Sequence, residues 1–283
     1  MYQDAACYGD QIQGKRNYQE DTFEIKAFGD EILFLLCDGM GGHVAGKQAS
    51  LLAVEEFTKG FCHQVDLPIP KRLEAGLTFA NEAIKLKVLQ SNELNGMGTT
   101  LVAVHLGSNA IHWVSVGDSP LWLVRNNQLQ RLNADHSLAE VLKKFVKLGQ
   151  ITAQQAANDP KRHVLLSSVS GEEIKHIDLR ESPFEMRNGD CLLLASDGME
   201  TLSSQQIIQQ VNDNIEPKKC VSQLLESVET INKTHQDNAT VIVYRHACAS
   251  KKFAISNLLT PKPLAIFLTF VCLILVTVVA VTL

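Results

Sequence analysis

The chain has 283 residues, of which 45% are hydrophobic and 20% charged, and its formal net charge at pH 7 is -5. This composition excludes a disordered or collagen-like chain, and the length is enough to bury a sizeable core in one large domain or two small ones. The acidic balance, with a pI near 6.0, argues against a nucleic-acid-binding protein, which usually carries a basic excess.

The N-terminal stretch MYQDAACYGDQIQ has neither a basic segment nor an apolar core. It therefore lacks the pattern of a secretory signal peptide. Seven cysteines are scattered along the chain without a CxxC pair, which is typical of a reducing compartment and of neither a disulfide framework nor a zinc site. We expect these cysteines to serve as small apolar residues.

Short apolar runs and helical patterns alternate irregularly over the first 246 residues. Strands are predicted at residues 31–37, 100–106, 110–116, 120–125, 190–196 and 239–245, where β-branched and large apolar side chains cluster. Helices are predicted at residues 46–59, 70–90 and 138–148, after Ser203 and after Glu216. The sequence NNQ at 126–128 predicts a hairpin. Strand pairs beside long helices indicate an α+β domain of layered sheets and helices.

The last twenty residues differ sharply from the rest of the chain. Residues 264–283 (LAIFLTFVCLILVTVVAVTL) carry no charge, proline or glycine, and a helix of this length rises about 30 Å, the thickness of a bilayer core. Lys251, Lys252 and Lys262 precede it, which predicts that the N-terminal domain faces the cytoplasm. We expect a juxtamembrane linker at 249–263 and a single-pass transmembrane anchor at 264–283. The alternative is a buried core helix.

Acidic residues lie where the predicted strands meet turns. They are Glu20 and Asp21, Asp38, Asp118, Asp197 and Asp237. A single Asp-Gly pair usually just makes a turn. Carboxylates that converge from several strands, however, repel one another unless cations lie between them, and hard oxygen ligands suit Mg²⁺ or Mn²⁺. The spacing alone leaves a metal site and a set of ordinary turns as equal alternatives.

Seven motifs follow one another between residues 14 and 243. They are GKRNYQED (14–21), ILFLLCDGMGGHVAGKQAS (32–50), GTTLVAV (98–104), VSVGDSPLWLV (114–124), LNADHSL (132–138), GDCLLLASDGMETLS (189–203) and QDNATVIV (236–243). Together they closely resemble the protein phosphatase 2C family, the metal-dependent serine/threonine phosphatases, over roughly residues 4–246. The form DGMGGH resembles that of bacterial members. The resemblance implies a four-layer sandwich in residues 1–248, in which two central antiparallel β-sheets are flanked by α-helices.

The resemblance also implies a binuclear Mn²⁺ or Mg²⁺ site. Asp38 would bridge the two ions, and the carbonyl oxygen of Gly39 would bind one of them. Asp197 and Asp237 would complete the shell of the first ion. Asp118 matches the aspartate that, together with the one at position 197, holds a third and weaker ion in bacterial members.

Four further residues receive roles. Glu20 and Asp21 would act on the second ion, largely through waters, although Asp21 is open to a purely structural role. Arg16 matches the arginine that grips the substrate phosphate, for which a guanidinium offers a planar fork that lysine lacks. Without the resemblance it would be an ordinary surface arginine. Asn238, beside one of the metal ligands, would orient a ligand or water.

These roles predict the hydrolysis of phosphoserine and phosphothreonine on proteins. A hydroxide that bridges the two ions would attack phosphorus in line, while the ions and Arg16 neutralise charge on the phosphoryl oxygens. No cysteine or serine nucleophile is needed. Phosphorylated proteins are the expected partners, together with a serine/threonine kinase that the phosphatase opposes at the membrane. The inner membrane of a bacterium is the expected location, with the catalytic domain in the cytoplasm.

The general acid is less well defined. Many eukaryotic members carry a histidine directly after the first Asp-Gly, where this chain has Met40. Either His43 or a metal-bound water could protonate the leaving group. Thr99 and Thr100 are expected to pack at a strand start rather than to take part in chemistry. The sequence SSVSG at 167–171 departs from the family pattern, so a polar contact near the site is expected to be lost.

Residues 138–168 correspond to a flap beside the metal site in bacterial relatives. Lys161, Arg162 and His163 could touch phosphosubstrates from it, but a solvated basic turn is the favoured interpretation. Two other functions are kept as alternatives. One is a non-catalytic, phosphatase-like binding module, which the retained metal carboxylates argue against, and the other is a different metal-dependent phosphoesterase on the same scaffold.

Overall fold

The computed structural model describes residues 6–42 and 44–247, which fall within one compact unit, Met1–Cys248. His43, the predicted linker at 249–263 and the predicted anchor at 264–283 lie outside the described residues. Within the two described ranges, no helix combines the length and the apolar character needed to cross a membrane.

Strands form the centre of this unit and helices lie outside them. The strands are β1 (Cys7–Ile12), β2 (Thr22–Phe28), β3 (Glu31–Cys37), β4 (Gly39–Met40), β5 (Gly98–Thr99), β6 (Leu101–Leu106), β7 (Ala110–Val116), β8 (Leu121–Arg125), β9 (Gln128–Arg131), β10 (Asp178–Leu179), β11 (Phe184–Glu185), β12 (Cys191–Ala195) and β13 (Ala239–Arg245). The helices are α1 (Val44–His63), α2 (Ile69–Gln90), α3 (Leu138–Lys147), α4 (Ala153–Ala157), α5 (Ser204–Asp213) and α6 (Pro217–Ile231).

Two antiparallel sheets lie face to face. One has the strand order β1-β13-β12-β8-β9, and the other has the order β10-β7-β6-β3-β2, with β11 also paired to β7. A small ribbon of β4 and β5 lies beside them. Side chains from both sheets fill the space between them, including Phe34 and Leu36 of β3, Leu192 and Leu194 of β12, and Tyr244 of β13.

Helices cover the outer face of each sheet. Leu33 and Leu35 of β3 point away from the other sheet and pack with Phe57 of α1, whereas Leu193 of β12 packs with Leu224 of α6. Burial on both faces explains why β3 and β12 read as continuous apolar runs instead of alternating ones. The predicted α+β fold with antiparallel sheets and helices is confirmed, and its layers form a helix–sheet–sheet–helix sandwich.

The elements that the sequence missed lie mainly at sheet edges. Strands β1 and β2 each occupy an edge, and polar residues such as Asp10, Glu24 and Lys26 interrupt their apolar pattern. An edge strand is half solvated, so its hydrophobic signal is weak. The predicted hairpin is confirmed: Asn126 and Asn127 between β8 and β9 have φ angles of 52° and 60°, as a tight two-residue turn requires.

The predicted flap at 138–168 contains α3, α4 and an irregular return. Both of its ends are tied to the sandwich. At the entry, the backbone N–H of His136 donates to the carbonyl oxygen of Gly117, which follows β7, at 3.0 Å, and Ser137 pairs with Leu165 of the flap's own return in an isolated bridge. At the return, Val169 exchanges two backbone hydrogen bonds with Thr99 of β5, with N–O distances of 2.9 and 3.0 Å. The flap therefore begins and ends next to the strands that carry the predicted site.

Candidate active site

Strand register brings the predicted acidic residues to one end of both sheets. In one sheet Thr22 pairs with Cys37, so Asp21 and Asp38 lie at neighbouring strand ends. In the other, Ala195 pairs with Val241, which places Asp197 beside the start of β13, where Asp237 lies. Four carboxylates from distant parts of the chain thus meet across the two sheets. We call them the inner cluster: Asp21, Asp38, Asp197 and Asp237.

Burial and mutual repulsion dominate the electrostatics of the inner cluster. The pKa of Asp38 is raised well above its ordinary value, first by burial and then by the charges of Asp21 and Asp197. Burial, followed by repulsion from Asp118 and Asp237, raises the pKa of Asp197 to about 8. Burial also raises the pKa of Asp21 to about 6, although a hydrogen bond from Thr240 opposes the shift. Full ionisation of this cluster therefore requires compensating positive charge.

The donor set fits hard divalent cations. All four members are carboxylates, the ligands that Mg²⁺ and Mn²⁺ prefer. Asp21 Oδ1 is buried and accepts no hydrogen bond from the residues that the structure describes, so it is an acceptor that a cation could satisfy. Across residues 6–42 and 44–247, no three His, Cys, Asp or Glu side chains are arranged as a complete metal-binding group. The fit thus depends on charge, burial and ligand type rather than on a preformed coordination shell.

Two threonines fix the backbone of Asp38. Thr99 Oγ1 donates to the carbonyl oxygen of Asp38 at 2.9 Å, and the backbone N–H of Thr100 donates to the same oxygen at 2.9 Å. The backbone N–H of Asp38 donates to Thr100 Oγ1 at 3.0 Å. Both threonines are buried at the start of a strand, as expected. Their hydroxyl contacts to Asp38 were missed, although the two adjacent threonines in GTT were a signal for them.

Thr240 joins the two sheets inside the site. Its Oγ1 donates to Asp21 Oδ2 at 2.6 Å, and its backbone N–H donates to Ser196 Oγ at 2.9 Å. Ser196 directly precedes Asp197. The side chain of Asp21 is therefore held against the strand ends that carry two other members of the inner cluster, a contact that the sequence did not predict.

The loop at 13–20 carries Arg16 and Glu20, and Asn238 holds it in place. Asn238 Nδ2 donates to the carbonyl oxygens of Gln13 (2.8 Å) and Tyr18 (2.9 Å), while its Oδ1 accepts from the backbone N–H of Glu20 (2.9 Å). These contacts make Asn238 a clamp for the loop. They connect Asn238 to the backbone of Glu20, a predicted metal ligand, and the orientation of a ligand or water by Asn238 stays a prediction.

Two glycines allow the backbone to approach Glu20. A Cβ on Gly46 would overlap Glu20 Oε1, and a Cβ on Gly39 would overlap the carbonyl oxygen of Gly46 and crowd that of Glu20. Ser50 Oγ also donates to the Glu20 carbonyl at 2.5 Å. The first turn of α1 is therefore packed directly on Glu20 and on Gly39, whose carbonyl is a predicted metal ligand.

Arg16 lies at the solvent side of the inner cluster. Its Nη2 donates to Asp237 Oδ2 at 2.6 Å, and the two side chains are 55% and 35% exposed. The pKa of Arg16 is raised by this hydrogen bond, so the side chain is always charged. Arg16 is thus a permanent cation, more than half exposed to solvent, beside a predicted metal ligand.

Asp118 lies slightly apart, with a second set of acidic residues. Burial raises its pKa to about 6, and repulsion from Asp135 and Glu200 contributes to the shift. We call Asp118, Asp135 and Glu200 the outer edge. The guanidinium of Arg131 lies among them, and its Nη2 donates to the carbonyl oxygen of Asp118 at 2.6 Å. Sequence analysis identified Asp118 but missed Arg131, which no motif marks.

The basic residues of the flap make local contacts. Lys161 and His163 are exposed. Arg162 Nη1 donates to the carbonyl oxygen of Ala157 in α4, and the carbonyl of Arg162 accepts from Ala139 in α3. The contacts of Arg162 therefore support the flap itself.

Comparison with known proteins agrees with this geometry. Residues 9–239 match the protein phosphatase 2C family. The serine/threonine phosphatase stp of Listeria welshimeri is 31% identical over 237 residues, which cover 81% of this chain and 90% of that protein. The solved structure of the Mycobacterium tuberculosis serine/threonine phosphatase PstP/Ppp has a TM-score of 0.71 at 28% identity, covering 85% of this chain and 98% of that one. The catalytic domain of PstP in complex with 2 manganese ions gives a TM-score of 0.70 at 28% identity, covering 85% and 97%.

The fold, the buried carboxylates and these similarities define a metal-dependent phosphatase class. The chain belongs to the protein phosphatase 2C family. Its activity is that of a serine/threonine protein phosphatase, as the sequence motifs predicted, and phosphorylated proteins are its substrates. The alternative of a non-catalytic binding module finds no support among the relatives, which are named as phosphatases.

Proposed function

We propose that the inner cluster holds two Mn²⁺ or Mg²⁺ ions, with Asp38 shared between them. Asp197, Asp237 and the carbonyl of Gly39 would complete the first position, and Glu20 and Asp21 the second. The observation that carries this assignment is the meeting of four carboxylates from strand ends of both sheets. Burial and mutual repulsion raise the pKa of Asp21, Asp38 and Asp197, and added cations would favour their ionised forms. Asp118 would join Asp197 at a third, weaker position.

When held by these residues, two divalent ions would lower the pKa of a bound water and would neutralise charge on the phosphoryl oxygens. The chain's own residues position the substrate. Arg16 can bind two phosphate oxygens through its planar fork, because its guanidinium is half exposed at the mouth of the cluster. Asn238 keeps the loop of Arg16 at a fixed distance from Asp237, so the phosphate would be oriented relative to the carboxylates.

Hydrolysis of a phosphothreonine peptide tests this proposal. We expect the purified protein to release phosphate with Mn²⁺ and to lose the activity in EDTA, with recovery when Mn²⁺ is added back. Isothermal titration calorimetry should detect at least two Mn²⁺ ions per chain. Phosphate release that persists at full rate in chelator would contradict the two-ion assignment, even though the family membership would remain.

We also propose that the apolar segment at 264–283 anchors the protein to a membrane, with the phosphatase domain on the cytoplasmic side of a bacterial inner membrane. Three lysines at 251, 252 and 262 support this orientation. At the membrane, the enzyme would reverse phosphorylation by a serine/threonine kinase located there. Deletion of 264–283 should move the protein from the membrane pellet to the supernatant. A deletion variant that stays in the pellet would show that this segment is not the anchor.

A further inference from the structure

Arg131 is the last residue of β9, and its guanidinium is surrounded by oxygen atoms. Besides its 2.6 Å hydrogen bond to the carbonyl of Asp118, Nη1 lies 3.3 Å from Asp135 Oδ2 and 3.9 Å from Glu200 Oε1. Its Nε donates to Asn133 Oδ1 at 3.3 Å. The side chain is only 22% exposed, so solvent screens these interactions incompletely.

A second cation near the outer edge, Lys143, belongs to the flap. Lys143 Nζ lies 3.9 Å from Asp135 Oδ2 and 3.4 Å from Glu140, but the lysine side chain is 60% exposed. Its effect is therefore strongly screened by water. Arg131 is a cation held at the outer edge by its hydrogen bond to the backbone of Asp118 and by the carboxylates of Asp135 and Glu200. Its charge is permanent because a guanidinium does not deprotonate in proteins.

We propose that Arg131 is a built-in counter-cation for the outer edge, and that its charge limits how tightly Asp118, Asp135 and Glu200 attract a further divalent cation. A cation bound beside Asp118 would lie close to the guanidinium and be repelled by it. Arg131 would thus supply positive charge at the outer edge that a metal ion would otherwise have to supply. This role rests on the proposed metal site only for the number of ions that the wild-type protein binds.

Manganese titration of the purified full-length protein tests this role, with Arg131→Gln and Arg131→Lys compared by calorimetry. Glutamine removes the charge but keeps a donor for the Asp118 carbonyl, whereas lysine keeps the charge. We expect Arg131→Gln to bind the weakest Mn²⁺ ion about tenfold more tightly, or to bind one ion more, while Arg131→Lys resembles the wild type. Arg162→Gln, which removes the same charge from the flap, serves as the matched control and should leave the titration unchanged.

Three outcomes would overturn the proposal. The weakest ion could bind Arg131→Gln no better than wild type, or the lysine variant could behave like the glutamine variant. A loss of weak binding in Arg131→Gln would show that the arginine positions Asp118 instead of competing with a cation. If Arg131→Gln does not fold, as its melting temperature would reveal, Arg131→Met provides a second uncharged variant, which should also bind the weakest ion more tightly than Arg131→Lys does, and no such gain would overturn the proposal. A wild type that binds no Mn²⁺ would contradict the two-ion site, yet a gained ion in Arg131→Gln would still support this inference.

Discussion

The inner cluster and the outer edge are both acidic, but they balance their charge in different ways. The inner cluster places four carboxylates at buried or half-buried strand ends, where Arg16 pairs with Asp237 from the solvent side and Lys47 Nζ donates to the backbone carbonyl of Asp21. At the outer edge, a guanidinium is fixed among the carboxylates. Under the proposed assignment the inner cluster would take its cations from solution, whereas the outer edge carries one of its own. The number of acidic residues does not distinguish the two regions; the position of the neighbouring guanidinium, at the solvent side or among the carboxylates, does.

The sharpest test of this difference removes one carboxylate from each region. Asp38→Asn should lower phosphatase activity by about a thousandfold or more, because the proposed shared ligand is lost. Glu200→Gln, at the outer edge, should change activity by less than about threefold, because its carboxylate is 53% exposed and lies outside the inner cluster. Phosphate release at saturating Mn²⁺ measures both. Comparable losses in the two variants would remove the distinction between the regions.

The loss of activity in Asp38→Asn should not be accompanied by a loss of stability. Asp38 is a buried acid with a strongly raised pKa, so an uncharged amide at this position relieves repulsion from its neighbours. In EDTA, Asp38→Asn should therefore melt at the same temperature as wild type or higher. A marked drop would show that the variant fails through misfolding, and the loss of activity would then say nothing about metal binding.

The next largest effect concerns Arg16, the exposed cation of the inner cluster. Arg16→Ala should lower kcat/KM by about a hundredfold, and Arg16→Lys should recover only part of it, because lysine lacks the planar fork. Mn²⁺ affinity should stay constant or rise, since Asp237 loses a competing partner. Arg162→Ala in the flap is the control with little expected effect. Weakened Mn²⁺ binding in Arg16→Ala would instead assign the arginine to the support of the metal ligands.

A smaller effect is expected from Thr99, which has no charge but holds Asp38. Thr99→Val keeps the shape of the side chain and removes the hydroxyl that donates to the Asp38 carbonyl. We expect about 1 kcal/mol lower stability and about tenfold lower activity, because supporting residues of a metal site tune rather than create it. Thr99→Ser retains the hydroxyl and should be close to wild type. Equal losses in the serine and valine variants would point to packing as the role of Thr99.

The sequence was informative about Asp38 and Asp197 because each ends a strong apolar strand, and strand ends of a layered sheet are where ligands collect. It was silent about Arg131 and Thr240. The contact of Thr240 with Asp21 joins residues 219 positions apart, and it exists only because two separate sheets pack in one register. Similarly, Asn238 clamps the loop of Glu20 across 218 positions. Such contacts depend on tertiary packing, which composition and periodicity do not encode.

The raised pKa values of the inner cluster predict that the stability of the protein depends on pH. In the folded protein the pKa is about 6 for Asp21 and about 8 for Asp197, whereas an aspartate in the unfolded chain has a pKa of about 3.9. Between these values the folded state binds more protons than the unfolded state, so the free energy of unfolding falls as pH rises. The contribution is complete below about pH 4 and is lost as the pH passes through 6 and then 8. In EDTA, we expect the melting temperature to drop by about 5–10 °C between pH 5.5 and pH 9.

Two variants assign this pH dependence to the inner cluster. Asp197→Asn cannot lose a proton at this position, so its melting temperature in EDTA should fall less steeply between pH 5.5 and pH 9. Glu200→Gln should show the wild-type slope, because its carboxylate is exposed at the outer edge. Saturating Mn²⁺ should flatten the wild-type curve, since divalent cations favour the ionised carboxylates. An unchanged slope in Asp197→Asn would mean that repulsion within the inner cluster does not govern stability, and the argument for cations from solution would lose its electrostatic basis.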